Sequence, residues 1–144
     1  MRRITMAEAL LDGYDFCGRL RNAIAAEKSL AAFARKHGLK DQAVRDAEAM
    51  RSVSKDVCKA LGLVKVLRYP PLDGKGSLVS LKIIQEKLNN FVSQCGTQRA
   101  AAQRLGIHES HLSNIQNAFR GVTPVLYKLG YGLPVVRYIA LDAA

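Results

Sequence analysis

Apolar side chains in the second half of the chain return every three or four positions. Ile84, Leu88, Phe91, Val92 and Cys95 form one such stripe, which predicts an amphipathic support helix. Gly96 breaks the pattern. Thr97 is a good N-cap for a second helix, from Gln98 to about Leu105, which stops at Gly106. After Ile107 a third helix is expected, with Leu112 and Ile115 on its inner face and Gly121 at its end. Thr123-Pro124 predicts a cap and first turn for a fourth helix over 125–129. Leu133-Pro134-Val135-Val136-Arg137-Tyr138-Ile139 is β-branched and aromatic, so a short strand is expected. Pro134 confines it to a sheet edge or a strand start.

The first half runs through the same order. Phe16, Leu20 and Ile24 form its support stripe, Ser29 stands where Thr97 does, and Ser54 answers to Thr123. Leu63-Val64-Lys65-Val66-Leu67-Arg68-Tyr69 is the matching strand. Ala34 and Gly38 precede Ala102 and Gly106 by 68 residues, and Arg68-Tyr69 precedes Arg137-Tyr138 by 69. Residues 1–12 find no counterpart. The pattern predicts a mainly all-α fold of two tandem units of four to five helices, each ending in a short strand. The first unit is expected over 1–69 and the second over 77–144. Between them, Pro70-Pro71-Leu72-Asp73-Gly74-Lys75-Gly76 reads as a linker at 70–76, because two prolines end the preceding element and two glycines free the chain to turn.

The second and third helices of each unit have the spacing of a helix-turn-helix. Two helices crossing steeply over a tight turn need a small residue at the crossing, a residue tolerant of positive φ in the turn, and apolar residues around both. Ala102, Gly106, Leu105, Ile107, Leu112 and Ile115 meet each demand. Ala34, Gly38, Leu39, Val44 and Ala47 meet them in the first half, with bulk from Phe33, but His37 stands where Leu105 does.

Charge sharpens this reading. The 144 residues carry a net charge of +10, with basic residues in excess in both halves, so a polyanionic partner is expected. A hydrophobic fraction of 49% excludes global disorder, and 6% aromatics with no Trp fits small helical units better than an aromatic-lined catalytic pocket. Three scattered cysteines without a CxxC pair point to a reducing cytoplasm, and Cys17 and Cys95 read as buried small hydrophobes. The first eight residues lack the long apolar run of a signal peptide, and no stretch approaches the ~20 apolar residues of a membrane span. His108 and His111 form an HxxH pair with no further ligand at a fitting spacing, so no metal or other cofactor is expected. No phosphate-binding loop and no paired carboxylates are visible, which argues against an enzyme.

The run Gln98-Arg99-Ala100-Ala101-Ala102-Gln103-Arg104-Leu105-Gly106-Ile107 resembles the start of the helix-turn-helix of Cro/CI-type (lambda-repressor-type) phage regulators. Arg120-Gly121, Pro124 and the segment from Leu133 to Tyr138 extend the likeness. It covers most of 78–140, and 14–69 more loosely. The tandem arrangement departs from a single domain that dimerises. The resemblance implies a sequence-specific reader of double-stranded DNA operators, working in the cytoplasm as a transcriptional regulator of phage or mobile-element type, often a repressor. By match to that pattern, Gln98 contacts a phosphate.

The base readers expected are the exposed positions of the second recognition helix: His108, Glu109, Ser110, Ser113, Asn114 and Asn117. Asn pairs bidentately with adenine, and a carboxylate accepts from cytosine. Arg99, Arg104 and Arg120 read as backbone clamps. The corresponding face of the first unit is Lys40, Asp41, Gln42, Arg45, Asp46 and Ala49. There Lys40, Gln42 and Arg45 are the candidate base readers, while Asp41 and Asp46 oppose phosphate. Strands 63–69 and 133–139 are expected to pair, either within the chain as a pseudo-dimer or between two chains of a homodimer. The alternative reading is a protein-interaction regulator, an antiactivator or antirepressor, on the same scaffold. RNA binding ranks third, since no aromatic stacking platform is visible.

Overall fold

Phe16 and Leu20 lie one helical turn apart and are both fully buried, and so do Ile84 and Leu88. These two pairs seed two separate cores. The computed structural model describes residues 10–141, whose elements in chain order are α1 (Gly13–Ala26), α2 (Leu30–Lys36), α3 (Asp41–Glu48), α4 (Lys55–Ala60), β1 (Leu63–Arg68), α5 (Leu81–Cys95), α6 (Gln98–Leu105), α7 (Glu109–Gln116), α8 (Leu126–Leu129) and β2 (Val135–Ala140). A 3-10 turn, Thr123–Val125, precedes α8. The fold is mainly helical and also contains a two-stranded antiparallel sheet of β1 and β2. Among the described residues no helix is long and apolar enough to cross a membrane. The predicted signal-peptide absence concerns residues 1–8, which lie outside the described residues.

The described residues fall into two compact units. One runs to Val66 and resumes at Val136; the other is Leu67–Val135. In the first, α1 packs on α2 and α3 around Phe16, Leu20, Phe33, Val44 and Val57. Its core is closed by Tyr138, whose ring stacks on Phe16 at 4.5 Å between centroids. Leu11 holds that strand by two backbone bonds to Tyr138, of 2.9 and 2.8 Å. In the second, α5 packs on α6, α7 and α8 around Ile84, Leu88, Leu112, Ile115 and Val125. Its closing tyrosine is Tyr69, bonded to Val79 at 2.8 and 3.0 Å. Leu11 and Val79 thus each hold one of the two closing tyrosines through a pair of backbone bonds. Each side chain of this size moved out of water contributes about 1.5–3 kcal/mol.

Turn geometry recurs at an offset of 68. Lys28 and Gly96, Gly38 and Gly106, Met50 and Ala118, and Gly62 and Gly130 are all left-handed, with φ between 57° and 91°. At His37 the two units solve one problem differently. Leu105 is buried on α6 beside Ala101, one turn before it. His37 is exposed, and its ring leans on Phe33 at 4.6 Å. Phe33 takes the place of Ala101, so the bulk missing at 37 is supplied one turn earlier.

Three expectations are corrected, and one cap is found where expected. Thr123 does not cap an α-helix: Val122 holds the cap position, without a side-chain bond, and Pro124 lies in the 3-10 turn that leads into α8. Ser54 does cap α4, accepting from Val57 N at 3.2 Å. The second strand starts at Val135, because Pro134 has no N–H to give a ladder. Cys58 is the buried thiol, and burial raises its pKa, whereas Cys17 and Cys95 are only half-buried.

Candidate nucleic-acid interface

In the unit from Leu67 to Val135, Thr97 opens α6 by accepting from Ala100 N at 3.1 Å. Ala101 and Ala102 are buried, which lets α5 and α7 pack closely on α6. Gly106, at φ 73°, reverses the chain, and Ile107 N returns to Ala102 O at 3.1 Å. His108 caps α7: its Nδ1 accepts from Ser110 N at 3.1 Å and lies 2.8 Å from Ser110 Oγ. With Leu112 and Ile115 fully buried, the rest of α7 faces outward.

His108, Glu109 and Ser110 are exposed at the start of α7, with Ser113 and Asn114 half-buried one turn on. Arg99 joins the first group, lining a groove of about 320 Å³ with His108 and Glu109. Asn117 is not brought to this cluster. It is the C-cap of α7, and its amide donates to Ser113 Oγ at a long 3.5 Å. Arg104 is exposed in the last turn of α6, apart from that groove. Arg120 is exposed in the turn after α7, beside His111. That turn is held by Asn114 O, which accepts from Phe119 N at 2.8 Å and Arg120 N at 3.2 Å. Gln98 is half-buried at the start of α6.

Three side chains in this region carry no signal in the sequence: Gln116, Asn89 and Phe119. Gln98 Nε2 donates to Gln116 Oε1 at 2.6 Å, and Gln116 Nε2 donates to Asn89 Oδ1 at 3.0 Å. This relay ties α5, α6 and α7 together and leaves one Gln98 N–H for an outside acceptor. Eighteen positions separate Gln98 from Gln116, so no local pattern announces the pair. Phe119 is 78% exposed, directly before Arg120. It follows the left-handed Ala118 in the turn after α7.

In the other unit, Ser29 caps α2 by accepting from Ala32 N at 3.0 Å, Gly38 makes the turn, and Val44 and Ala47 bury the inner face of α3. Lys40, Asp41, Gln42 and Arg45 are exposed, as is Ala49 at the C-cap. Gln42 is not left unengaged: its Nε2 donates to Asp46 Oδ1 at 2.9 Å. Arg51 Nη2 and Nε reach the same oxygen at 3.1 and 3.3 Å. Gln42 first, then Arg51, hold the Asp46 carboxyl below its ordinary pKa. Lys40 offers α3 no side-chain cap, and Leu30 stands where the other unit has Gln98.

Among the described residues no group of three His, Cys, Asp or Glu is placed to hold a metal ion. Comparison with known proteins finds no matching family, no matching curated protein and no matching solved structure.

Proposed function

We propose that the chain is a sequence-specific double-stranded DNA-binding regulator built from two tandem helix-turn-helix units. The unit containing α7 makes the main base contacts. The observation that carries this reading is α7 itself: its inner face is buried, and its capped N-terminal end presents His108, Glu109 and Ser110 beside Arg99. A short helix with exposed donors and acceptors at its N-terminal end is what the major groove admits. His108 acts there as the cap as well as a reader, since Nδ1 is engaged and Nε2 remains for a base edge. The unit also holds eight basic residues against three acidic ones, which favours a polyanion. In the cytoplasm of a phage or mobile-element host, such a protein would act on a nearby promoter, most simply as a repressor.

One observation favours a second reading for the α3 face. Asp46 engages both Gln42 and Arg51, which removes a donor pair from base readout and leaves a mixed-charge surface of the kind a protein partner can cover. The unit containing α3 would then act as an antiactivator or antirepressor surface.

Selection from a random duplex DNA library at near-physiological salt tests the main reading. An enriched motif with two unlike half-sites is expected when both units read DNA, and a single short motif when α7 alone does. Absence of enrichment, with only weak salt-sensitive binding, would overturn specific recognition and move the protein-partner reading to first place.

A further inference from the structure

The unit containing α1–α4 has a cleft of about 800 Å³ between the start of α1 and the end of α3, with Arg137 of β2 at its edge. That volume is in the range of small-molecule sites, roughly 300–1,000 Å³. Its floor is low because α1 carries Gly13, Cys17 and Gly18 on that side. Gly18 is the informative one. It lies inside a 14-residue helix, its φ is not positive, and a Cβ placed there would meet nothing within 4 Å. Neither backbone nor packing calls for glycine, although glycine weakens a helix relative to alanine. What the missing side chain does accomplish is to keep the cleft open.

The walls have two characters. Tyr14 is 90% exposed and Met50 42%, so an aromatic ring and a thioether border the opening. Arg21 and Arg137 supply the charge. Neither makes an ion pair among the described residues, and the hydrogen bond Arg137 makes is to its neighbour's carbonyl, Val136 O, at 2.8 Å. Of the two carboxylates present, that of Asp12 accepts from Asp15 N at 2.9 Å in the cap of α1 and also feels the Arg137 guanidinium, while forming no ion pair with it. In the other unit, the places of Glu48 and Arg21 are taken by Gln116 and Asn89, which bridge the corresponding gap by their 3.0 Å bond. Glu48 and Arg21 make no such bond.

We infer that this cleft is a binding site for a small amphipathic anion: one acidic group for the two guanidinium groups, on an apolar body that lies over Gly18 against Tyr14 and Met50. This goes beyond DNA reading and does not depend on it.

Anilinonaphthalene sulfonate, a sulfonate on an apolar aromatic body, is the probe. Titrated against the folded full chain, it should bind at one site per chain with a rise in fluorescence and with amide shifts at Tyr14, Cys17 and Gly18. Gly18→Leu places a side chain in the open space of the floor. It should abolish binding while circular dichroism and the melting transition show an intact fold. The double variant Arg21→Gln/Arg137→Gln should weaken binding by about tenfold or more. Absence of one-site binding, or binding unchanged in Gly18→Leu, would overturn the site. Binding unchanged in the double arginine variant would overturn the anion assignment. A Phe119→Ala control separates probe held at the exposed ring of the other unit: loss in that variant, with Gly18→Leu unaffected, would also overturn it.

Discussion

Two glycines make opposite demands of one substitution. Gly106 is left-handed at φ 73° with open space around it, so Gly106→Ala costs the strain of that conformation alone, about 1–2 kcal/mol. Gly18 is helical and equally open, so Gly18→Ala should stabilise by about 0.5–1 kcal/mol. Urea midpoints of the two variants should move in opposite directions; a shared direction would remove the steric account of both. On the proposed DNA-binding face, Asn114→Ala should relax preference at one or two base pairs, with a loss of about 1–3 kcal/mol at the cognate site. An unchanged selected motif would refute that role. Arg99→Ala should weaken binding to all sequences alike and reduce the salt slope by about 1, measured by titrations at several salt concentrations.

Caps set the scale of the elements. Removing the hydroxyl of Thr97 leaves Ala100 N without its acceptor, so Thr97→Ala should cost about 1 kcal/mol and fray α6 first, visible as faster amide exchange at its start. Asp12 does the same for α1. The backbone N–H of Asp15 holds the Asp12 carboxyl below its ordinary value of 3.8. Its folded pKa being depressed, the stabilisation is complete above the unfolded value and is lost as pH falls through the folded one. Asp12→Asn, which still caps but does not titrate, should flatten that acid limb in denaturant melts between about pH 2 and 5; an unchanged limb would argue against the cap. These elements were largely legible in the sequence, because caps and apolar periodicity act within four residues. Thr97, Ser29 and Ser54 are found where such rules place them. The 3-10 turn at Thr123 was not legible, since Thr-Pro opens either kind of helix and Val122 and Val125, both buried, decide which. The Gln98–Gln116–Asn89 relay and the cleft above Gly18 were hidden for another reason: each joins elements far apart in sequence.

At the scale of the molecule, the two tyrosines are the parts that no local rule assigns. Tyr138 completes the core around Phe16, and Tyr69 completes the core around Ile84. Tyr138→Ala should therefore cost about 3–5 kcal/mol and deprotect the amides of α1 and α3, whereas Tyr69→Ala should deprotect α5 and α7. Hydrogen exchange followed by mass spectrometry reads both; a uniform loss of protection in either variant would contradict the separate cores.

This pairing of cores and tyrosines has a consequence for synthesis. The helices around Phe16 are translated before those around Ile84, yet their last core residue, Tyr138, is made 75 positions later than Leu63 (138 − 63). At about 5–20 residues per second, that is a wait of roughly 4–15 s. The helices around Ile84 have no such wait, because Tyr69 precedes them on the ribosome. The unit that begins first is thus completed last, and a nascent chain stalled before Tyr138 would still carry an open apolar core around Phe16.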